Sequence, residues 1–231
     1  GMGTAADIKN VAIATRSFRE LSVAAIVTAG VEGNGGRVGD PATHYQPGEK
    51  TAAHKPGTIN IMLVMDADMA PGTMARALVT CTEAKTAALQ ELMSGSLYSR
   101  GLATGSGTDQ TIVVANATSP LYFEGAGKHN KLGELIGQAV KHAVTEALEK
   151  QSGLSPKMQH NMLRRLKRFG ITEESLWDEF LPGSTFHKLD REQFGAILRQ
   201  IATNSQVVVK ASLFVHLLDQ LQWNLLQEHE V

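Results

Sequence analysis

Short apolar runs separated by polar or glycine-rich stretches make up much of the first half of the chain. Residues 11–14 and 23–27 are apolar, with β-branched positions in both runs, and the polar stretch 16–20 lies between them. This pattern predicts two strands joined as a hairpin. Residues 59–65 and 111–115 are short apolar runs of the kind that forms buried strands.

Two longer segments have apolar residues at helical spacing. The first starts at Pro71, after Asp66 and Asp68, and this arrangement is typical of a helix start. We expect this helix to reach about Met93, with an apolar stripe formed by Met74, Leu78, Cys81, the stem of Lys85, Ala88 and Leu92. A second helix is predicted over residues 131–150, from the spacing of its leucine, isoleucine, valine and alanine positions.

The pattern changes after residue 151, where glycine becomes rare and helical spacing dominates. Helices are predicted at about 156–169, 173–180, 189–202 and 206–228. The sequence therefore predicts an α+β domain over residues 1–151, with a mainly antiparallel sheet and packed helices, followed by an all-α extension over residues 152–231.

The last predicted helix has a strong apolar stripe that needs a partner. Its members are Leu213, Phe214, Leu217, Leu218, Leu221, Leu225 and Leu226. We expect the helical extension either to cap a site in the first domain or to form a homodimer contact.

Composition and charge narrow the classes of function. The 22 basic and 23 acidic side chains give a net charge of −1, without the basic excess that nucleic-acid binding requires. The single cysteine, Cys81, cannot form an internal disulfide, which fits a reducing compartment. Because the sequence has neither a signal-peptide pattern nor an apolar run of membrane-spanning length, we expect a soluble cytoplasmic protein without nucleic-acid or membrane partners.

The glycine-rich stretch 30–40 is the densest local feature. Glycines let a backbone adopt tight turns and let a ligand approach its amides. The stretch is neither a Rossmann fingerprint, since no helix opens after it, nor a Walker loop. It is interpreted as a ligand-contacting loop that presents Arg37 and Asp40, or alternatively as a surface loop of tight turns.

Two further segments contain residues suited to proton transfer. Glu83 shares a helix face with Thr80 and Thr86, so it could act as a general base or belong to a solvated polar face. In the loop 104–109, small residues could hold an oxyanion through their amides. Asp109 could be catalytic there or could simply cap a turn.

Residues 127–134 lead into the second long helix and contain several cations. Lys128 and Lys131 would reinforce the positive end of the helix, and His129 suits proton transfer near neutral pH. His129 could equally be an exposed capping residue. His44 and His54 lie in a long loop without the spacing of a metal site, so neither a metal nor another cofactor is expected.

Five segments in order, 28–40, 56–61, 82–86, 103–109 and 127–137, resemble the adenosylcobinamide amidohydrolase family over residues 4 to about 151. The resemblance implies hydrolysis of the amide that joins adenosylcobyric acid to its aminopropanol arm, in the salvage of cobinamide for cobalamin synthesis. The corrinoid would be the substrate. Family members usually have a further segment before the position of Thr4 and lack the helical segment after Gly153.

The resemblance also implies roles for the polar loops. Glu83 or Asp109 would activate water, the amides of 104–109 would hold the oxyanion, and His129 or Lys128 would protonate the leaving amine. A covalent route through Thr58, Thr82 or Thr108 stays open. The residues expected to bind substrate are Asn34, Arg37, Asp40, Asn60, Thr82, Lys85, Thr104, Ser106, Thr108, Lys131 and Glu134.

Two alternatives accompany this interpretation. The chain could be a corrinoid carrier or sensor that kept the pocket of the family and lost its chemistry. It could also be an amidohydrolase that acts on a different side chain of a related corrinoid.

Overall fold

The computed structural model describes residues 1–42, 57–183 and 189–231, with only the backbone at 181–183. These residues divide into two units, Gly1–Ser155 and Pro156–Val231. The strands of the first unit are β1 (Ala12–Phe18), β2 (Leu21–Ala29), β3 (Gly35–Gly36), β4 (Ile59–Met65), β5 (Asp68–Met69), β6 (Gly105–Ser106), β7 (Gln110–Ala115) and β8 (Tyr122–Phe123). Its long helices are α1 (Pro71–Glu91) and α2 (Lys131–Ser152).

The main sheet has the strand order β1-β2-β4-β7. β1 and β2 form the predicted hairpin, whose turn falls at Arg19 and Glu20, with Arg19 at a φ of 53°. β4 runs antiparallel to β2 and parallel to β7. The parallel pair arises because α1 connects its two strands as a crossover. Two short pairs, β3 with β6 and β5 with β8, lie outside this sheet.

The core lies between one face of the sheet and the two long helices. Alternate residues of β4 (Ile59, Ile61, Leu63 and Met65) are fully buried, as expected for the covered face of a strand. α2 packs on β1 and β2 and also contacts α1. Both helices lie within two residues of their predicted ends.

The predicted apolar stripe of α1 is wrong at one position. Leu78 is 41% exposed, whereas Ala77 is completely buried. The reason is that α1 contacts both α2 and β7, so its buried face is broad and is made largely of small residues. The buried positions of α1 are Thr73, Ala77, Thr80, Cys81, Ala84, Lys85, Ala88 and Leu89.

The second unit is helical, as predicted. Its helices are α3 (Met162–Leu166), α4 (Glu173–Gly183), α5 (Arg191–Ala202) and α6 (Ser205–Gln222). The helix predicted from residue 156 begins only at Met162, where the side chain of Asn161 caps it. The helix predicted to reach 228 ends at Gln222. The α+β fold class followed by C-terminal helices is confirmed.

A buried ion pair holds the second unit together. Arg168 donates from both terminal nitrogens to Asp219 on α6, at 2.6 and 2.5 Å. Helix α6 packs against α3, and its buried apolar residues are Val208, Ala211 and Val215. The predicted leucine stripe is only partly buried, since Leu213 and Leu225 are exposed, and its role in a homodimer stays a prediction.

Within the described ranges, no single helix has the length and hydropathy needed to cross a membrane. α5 and α6 pass that test only as a pair, with a bend of 79° between them.

Candidate active site

The starts of β4 and β7 meet at one edge of the main sheet, because the two strands are parallel neighbours. Thr58 directly precedes β4, and Thr108 and Asp109 directly precede β7. The hydroxyls of Thr58 and Thr108 are 2.7 Å apart. The backbone N–H of Ile59 donates to Oδ1 of Asp109 at 3.1 Å. The crossover therefore brings together side chains that lie far apart in the sequence.

Asp109 is fixed by the loop that precedes it. Its Oδ1 accepts a hydrogen bond from the hydroxyl of Ser106 at 2.6 Å. The backbone N–H of Ser106 donates to both carboxylate oxygens at 3.1 Å. Asp109 thus closes the turn, as the capping alternative predicted, and the turn holds its carboxylate in one orientation.

Lys85 reaches the same carboxylate from the buried face of α1. Its ammonium forms an ion pair with Oδ2 of Asp109, and the two side chains are only 11% and 16% exposed. A lysine is rarely buried without such a partner. Gly105 leaves room for this pair, because a Cβ there would lie 2.8 Å from Nζ of Lys85 and would collide with Asp109.

The carbonyl of Gly57 is a second focus of hydrogen bonds. The side-chain amide of Asn34 lies 2.7 Å from this oxygen, Thr58 lies 2.8 Å away and Thr108 lies 3.0 Å away. Oδ1 of Asn34 is buried, with no hydrogen-bond donor among the described residues. Asn34, Thr58, Lys85, Ser106, Thr108 and Asp109 are called the strand-end cluster below.

A neighbouring network surrounds Asp40. Its Oδ2 accepts from the backbone N–H of Arg37 at 2.9 Å and from the hydroxyl of Ser96 at 2.6 Å. Burial acts to raise the pKa of Asp40. Hydrogen bonds from Ser96, Ser99 and Arg37 and the positive charge of Arg37 act in the opposite direction. Together they outweigh burial, so the pKa lies below its ordinary value of 3.8. The pairing of β3 with β6 brings this glycine-rich loop beside Thr104, whose hydroxyl accepts from Val38.

A third polar region lies on the other side of α1. Glu83 forms ion pairs with Lys128 at 3.2 Å and with Arg76 at 3.9 Å. It lines an open groove of about 980 Å³ between α1 and α2, called the helix groove below. The other charged or histidine side chains of this groove are Arg16, Lys128, Glu134, Lys141, His142, Glu146 and Glu149.

The predicted site residues therefore separate into groups. Glu83 and Lys85 are two positions apart on α1, so they face different sides of the helix. Of the four residues with predicted catalytic roles, the strand-end cluster contains Asp109, the helix groove contains Glu83 and Lys128, and His129 lies on the exposed loop before α2.

The remaining predicted binding residues have mostly local contacts. The hydroxyl of Thr82 donates to the Leu78 carbonyl within α1. Lys131 and Glu134 form an ion pair of 2.5 Å on the first turn of α2. Asn60 is buried on β4 and donates to the carbonyl of Gly3. His44 and His54 lie outside the described residues.

Cys81 is not a candidate nucleophile. Burial raises the pKa of its thiol to about 12, although the Lys85 charge and a hydrogen bond with Thr111 act in the opposite direction. At neutral pH the side chain is therefore a thiol, which is a weak nucleophile. This agrees with its interpretation from the sequence as a small packed residue.

Comparison with known families identifies the first unit. The model of the family described as adenosylcobinamide amidohydrolase (CbiZ) matches residues 1–156 of the 231. The chain belongs to the adenosylcobinamide amidohydrolase family. The match covers the first unit, including the strand-end cluster and the helix groove. This family resemblance, predicted from five short segments, is confirmed.

The chain also resembles a protein of Methanocaldococcus jannaschii. The uncharacterized protein MJ1613 of Methanocaldococcus jannaschii is 40% identical over 161 residues. The alignment covers 65% of this chain and 62% of MJ1613, so it spans less than two thirds of the length of that relative. The name of MJ1613 gives no reaction, so the similarity does not establish an activity for this chain.

Sequence reasoning named all six members of the strand-end cluster but missed how they are paired. Ser96, which holds Asp40, had no predicted role, because a serine in a short polar segment gives no local signal. The pairing of Lys85 did have a signal. A lysine on the buried stripe of a helix needs an opposite charge, and Asp109 is a carboxylate at the start of a neighbouring strand.

Proposed function

We propose that this protein hydrolyses the amide that links aminopropanol to the corrinoid in adenosylcobinamide, releasing adenosylcobyric acid for cobalamin salvage. Family membership supports the type of reaction. The observation that carries the proposal for this chain is the Lys85–Asp109 ion pair, which is largely buried and hydrogen-bonded to the Ser106 hydroxyl at the edge of the sheet.

Amide hydrolysis requires a base, a group that stabilises negative charge on the carbonyl oxygen and a proton for the leaving amine. Asp109 has an oxygen within hydrogen-bond distance of a hydroxyl and is the base in this proposal. Lys85 has three N–H bonds, of which the pair with Asp109 occupies one. Its remaining protons can stabilise charge on the substrate or pass to the nitrogen that leaves.

Restricted access to water strengthens this arrangement. Charges interact more strongly when little water surrounds them, so a cation held beside the reacting carbonyl has a larger effect there than on the surface. Glu83 and Lys128 have the same chemical groups but are 43% and 60% exposed on their side chains. We therefore propose that the reaction takes place at the strand-end cluster and not in the helix groove.

The direct test is mass spectrometry of purified protein incubated with adenosylcobinamide, which would detect adenosylcobyric acid and free aminopropanol. The wild-type protein should form both products, and Asp109→Asn should lower kcat/KM by about 1000-fold. Glu91→Gln is a matched control, since Glu91 is also paired with a lysine but on an exposed face of α1. Dialysis against a chelator should leave the rate unchanged.

The same experiment separates the proposal from its main alternative. Tight binding of intact adenosylcobinamide without cleavage would indicate a corrinoid carrier or sensor. If the protein neither binds nor cleaves adenosylcobinamide, the proposed function is wrong.

A further inference from the structure

We infer that the amide is cleaved by a covalent route in which the hydroxyl of Ser106 is the nucleophile. This inference rests on the proposed function and assigns a step of the same reaction. Its basis is the hydrogen bond that Ser106 donates to Oδ1 of Asp109 at 2.6 Å. A serine hydroxyl becomes nucleophilic when a base within hydrogen-bond distance accepts its proton.

The threonines that the sequence left open as nucleophiles have different partners. Thr58 and Thr108 contact each other and the carbonyl of Gly57, and Thr82 donates to a carbonyl of its own helix. These hydrogen bonds end on hydroxyl and backbone oxygens, which are far weaker bases than a carboxylate. The geometry therefore favours Ser106 over each of the three.

A second serine–aspartate pair provides an internal comparison. Ser96 donates to Asp40 at 2.6 Å and accepts from the backbone N–H of Tyr98 at 3.0 Å. Ser106 has the same pattern, since it donates to Asp109 at 2.6 Å and accepts from the backbone N–H of Thr108 at 3.3 Å. Ser96 is only 6% exposed, and the hydrogen bonds join loop segments to each other. The burial of Ser96, and not its hydrogen-bond geometry, therefore marks this pair as a structural contact.

Ser106 differs from Ser96 in access and in electrostatics. It is half-buried and lies between Gly105 and Gly107, which place no side chain over its hydroxyl. The carboxylate that accepts its proton is paired with Lys85 on the other oxygen. The ion pair holds that carboxylate in place and puts a proton donor next to the bond that breaks.

The proposed steps conserve atoms and protons. Oγ of Ser106 attacks the amide carbon while its proton moves to Oδ1 of Asp109. The C–N bond then breaks, Lys85 gives a proton to the leaving nitrogen, and the proton on Asp109 restores the ammonium of Lys85. The products of this half are free aminopropanol and an ester between Ser106 and the cobyric acid acyl group. Water then hydrolyses the ester through the same base, which regenerates the serine and releases adenosylcobyric acid.

The deciding experiment compares Ser106→Ala with Ser96→Ala in the adenosylcobinamide assay. Ser106→Ala should lower the rate of aminopropanol release by at least about 1000-fold. Ser96→Ala should keep the rate within about threefold, since it removes only the two hydrogen bonds of a structural contact. Substantial turnover by a folded Ser106→Ala variant would overturn the inference.

Hydroxylamine trapping with the wild-type protein gives a readout that does not depend on a variant folding. An ester on Ser106 should react with added hydroxylamine to give the hydroxamate of adenosylcobyric acid. Full cleavage without any hydroxamate, or peptide mapping that places the acyl group elsewhere, would contradict the covalent route. A wild-type protein that makes no product would instead refute the proposed function itself, so the two failures are distinguishable.

Discussion

The strand-end cluster and the helix groove each contain a lysine paired with a carboxylate, and both use a residue of α1. Lys85 and Asp109 are 11% and 16% exposed, whereas Lys128 and Glu83 are 60% and 43% exposed. Besides its ion pair, the carboxylate of Asp109 accepts hydrogen bonds from the hydroxyl and the backbone N–H of Ser106 and from the backbone N–H of Ile59. The comparison shows that residue type alone does not distinguish a largely buried pair from a surface pair.

The physical difference is the surrounding medium. An ion pair at the surface is screened by water and typically contributes about 0–1 kcal/mol. A pair with little exposure has already lost much of its hydration, so each charge depends on the other and on fixed hydrogen bonds. This dependence makes the strand-end cluster more sensitive to substitution than the helix groove, and the proposed function places the reaction there.

The largest contrast should come from removing each lysine charge. Lys85→Met leaves the carboxylate of Asp109 without its cation, so kcat/KM should fall about 1000-fold and the free energy of unfolding by about 3 kcal/mol. Lys128→Met, which removes an exposed partner of Glu83 in the helix groove, should change the free energy of unfolding by less than about 1 kcal/mol. Activity assays and urea unfolding measure both effects. Equal losses in the two variants would refute the contrast.

Two glycine substitutions test the space around each region. In Gly105→Ala, the added Cβ would displace Lys85 or Asp109, and we expect a loss of activity of about 100-fold. In Gly137→Ala, on the groove side of α2, the Cβ would enter open space, and alanine should stabilise the helix by about 0.5–1 kcal/mol. Kinetic assays with thermal unfolding should separate the two. Full activity in a folded Gly105→Ala variant would show that the ion pair tolerates displacement.

A smaller effect is expected at Glu83 itself. Glu83→Gln removes a charge from an exposed ion-pair network, so kcat/KM should change by less than about threefold. Steady-state kinetics with adenosylcobinamide would measure this. If Glu83→Gln instead abolished turnover while binding persisted, the chemistry would belong to the helix groove.

The smallest effect concerns Asp40, whose pKa is lowered in the folded protein. A carboxyl whose folded pKa lies below its unfolded value stabilises the protein above the unfolded pKa, and this stabilisation is lost as the pH falls through the folded pKa. Asp40→Asn should therefore cost about 1 kcal/mol at pH 7, and the cost should shrink below pH 3.8. Urea unfolding of both proteins across this pH range is the measurement. A constant difference would contradict the role of charge.

The sequence predicted the elements well because their signals are local. The hairpin, the buried strand at 59–65 and both long helices followed from hydrophobic periodicity and from residues such as Pro71. The site was predicted only as separate segments. Lys85 and Asp109 are 24 residues apart, and Thr58 and Thr108 are 50 apart, so no local pattern could show that they meet.

The errors have the same physical origin. Leu78 was placed on the buried stripe because helical spacing does not reveal which neighbours a helix has. The start of α3 was predicted too early, at residue 156, because the composition of residues 156–161 suits a helix. In the structure the side chain of Asn161 caps the helix, which therefore begins at Met162. Contacts that depend on the assembled fold could not be read from periodicity.

The crossover from β4 through α1 to β7 also determines when the site can exist during folding. The hydrogen bond from Ile59 to Asp109 spans 50 residues, and the ion pair needs α1 to be packed against β7. Long-range pairings of this kind form late, because the intervening chain must be ordered first. A nascent or refolding chain therefore has no strand-end cluster until β7 joins β4, and under the proposed function recovery of activity would report completion of the first unit.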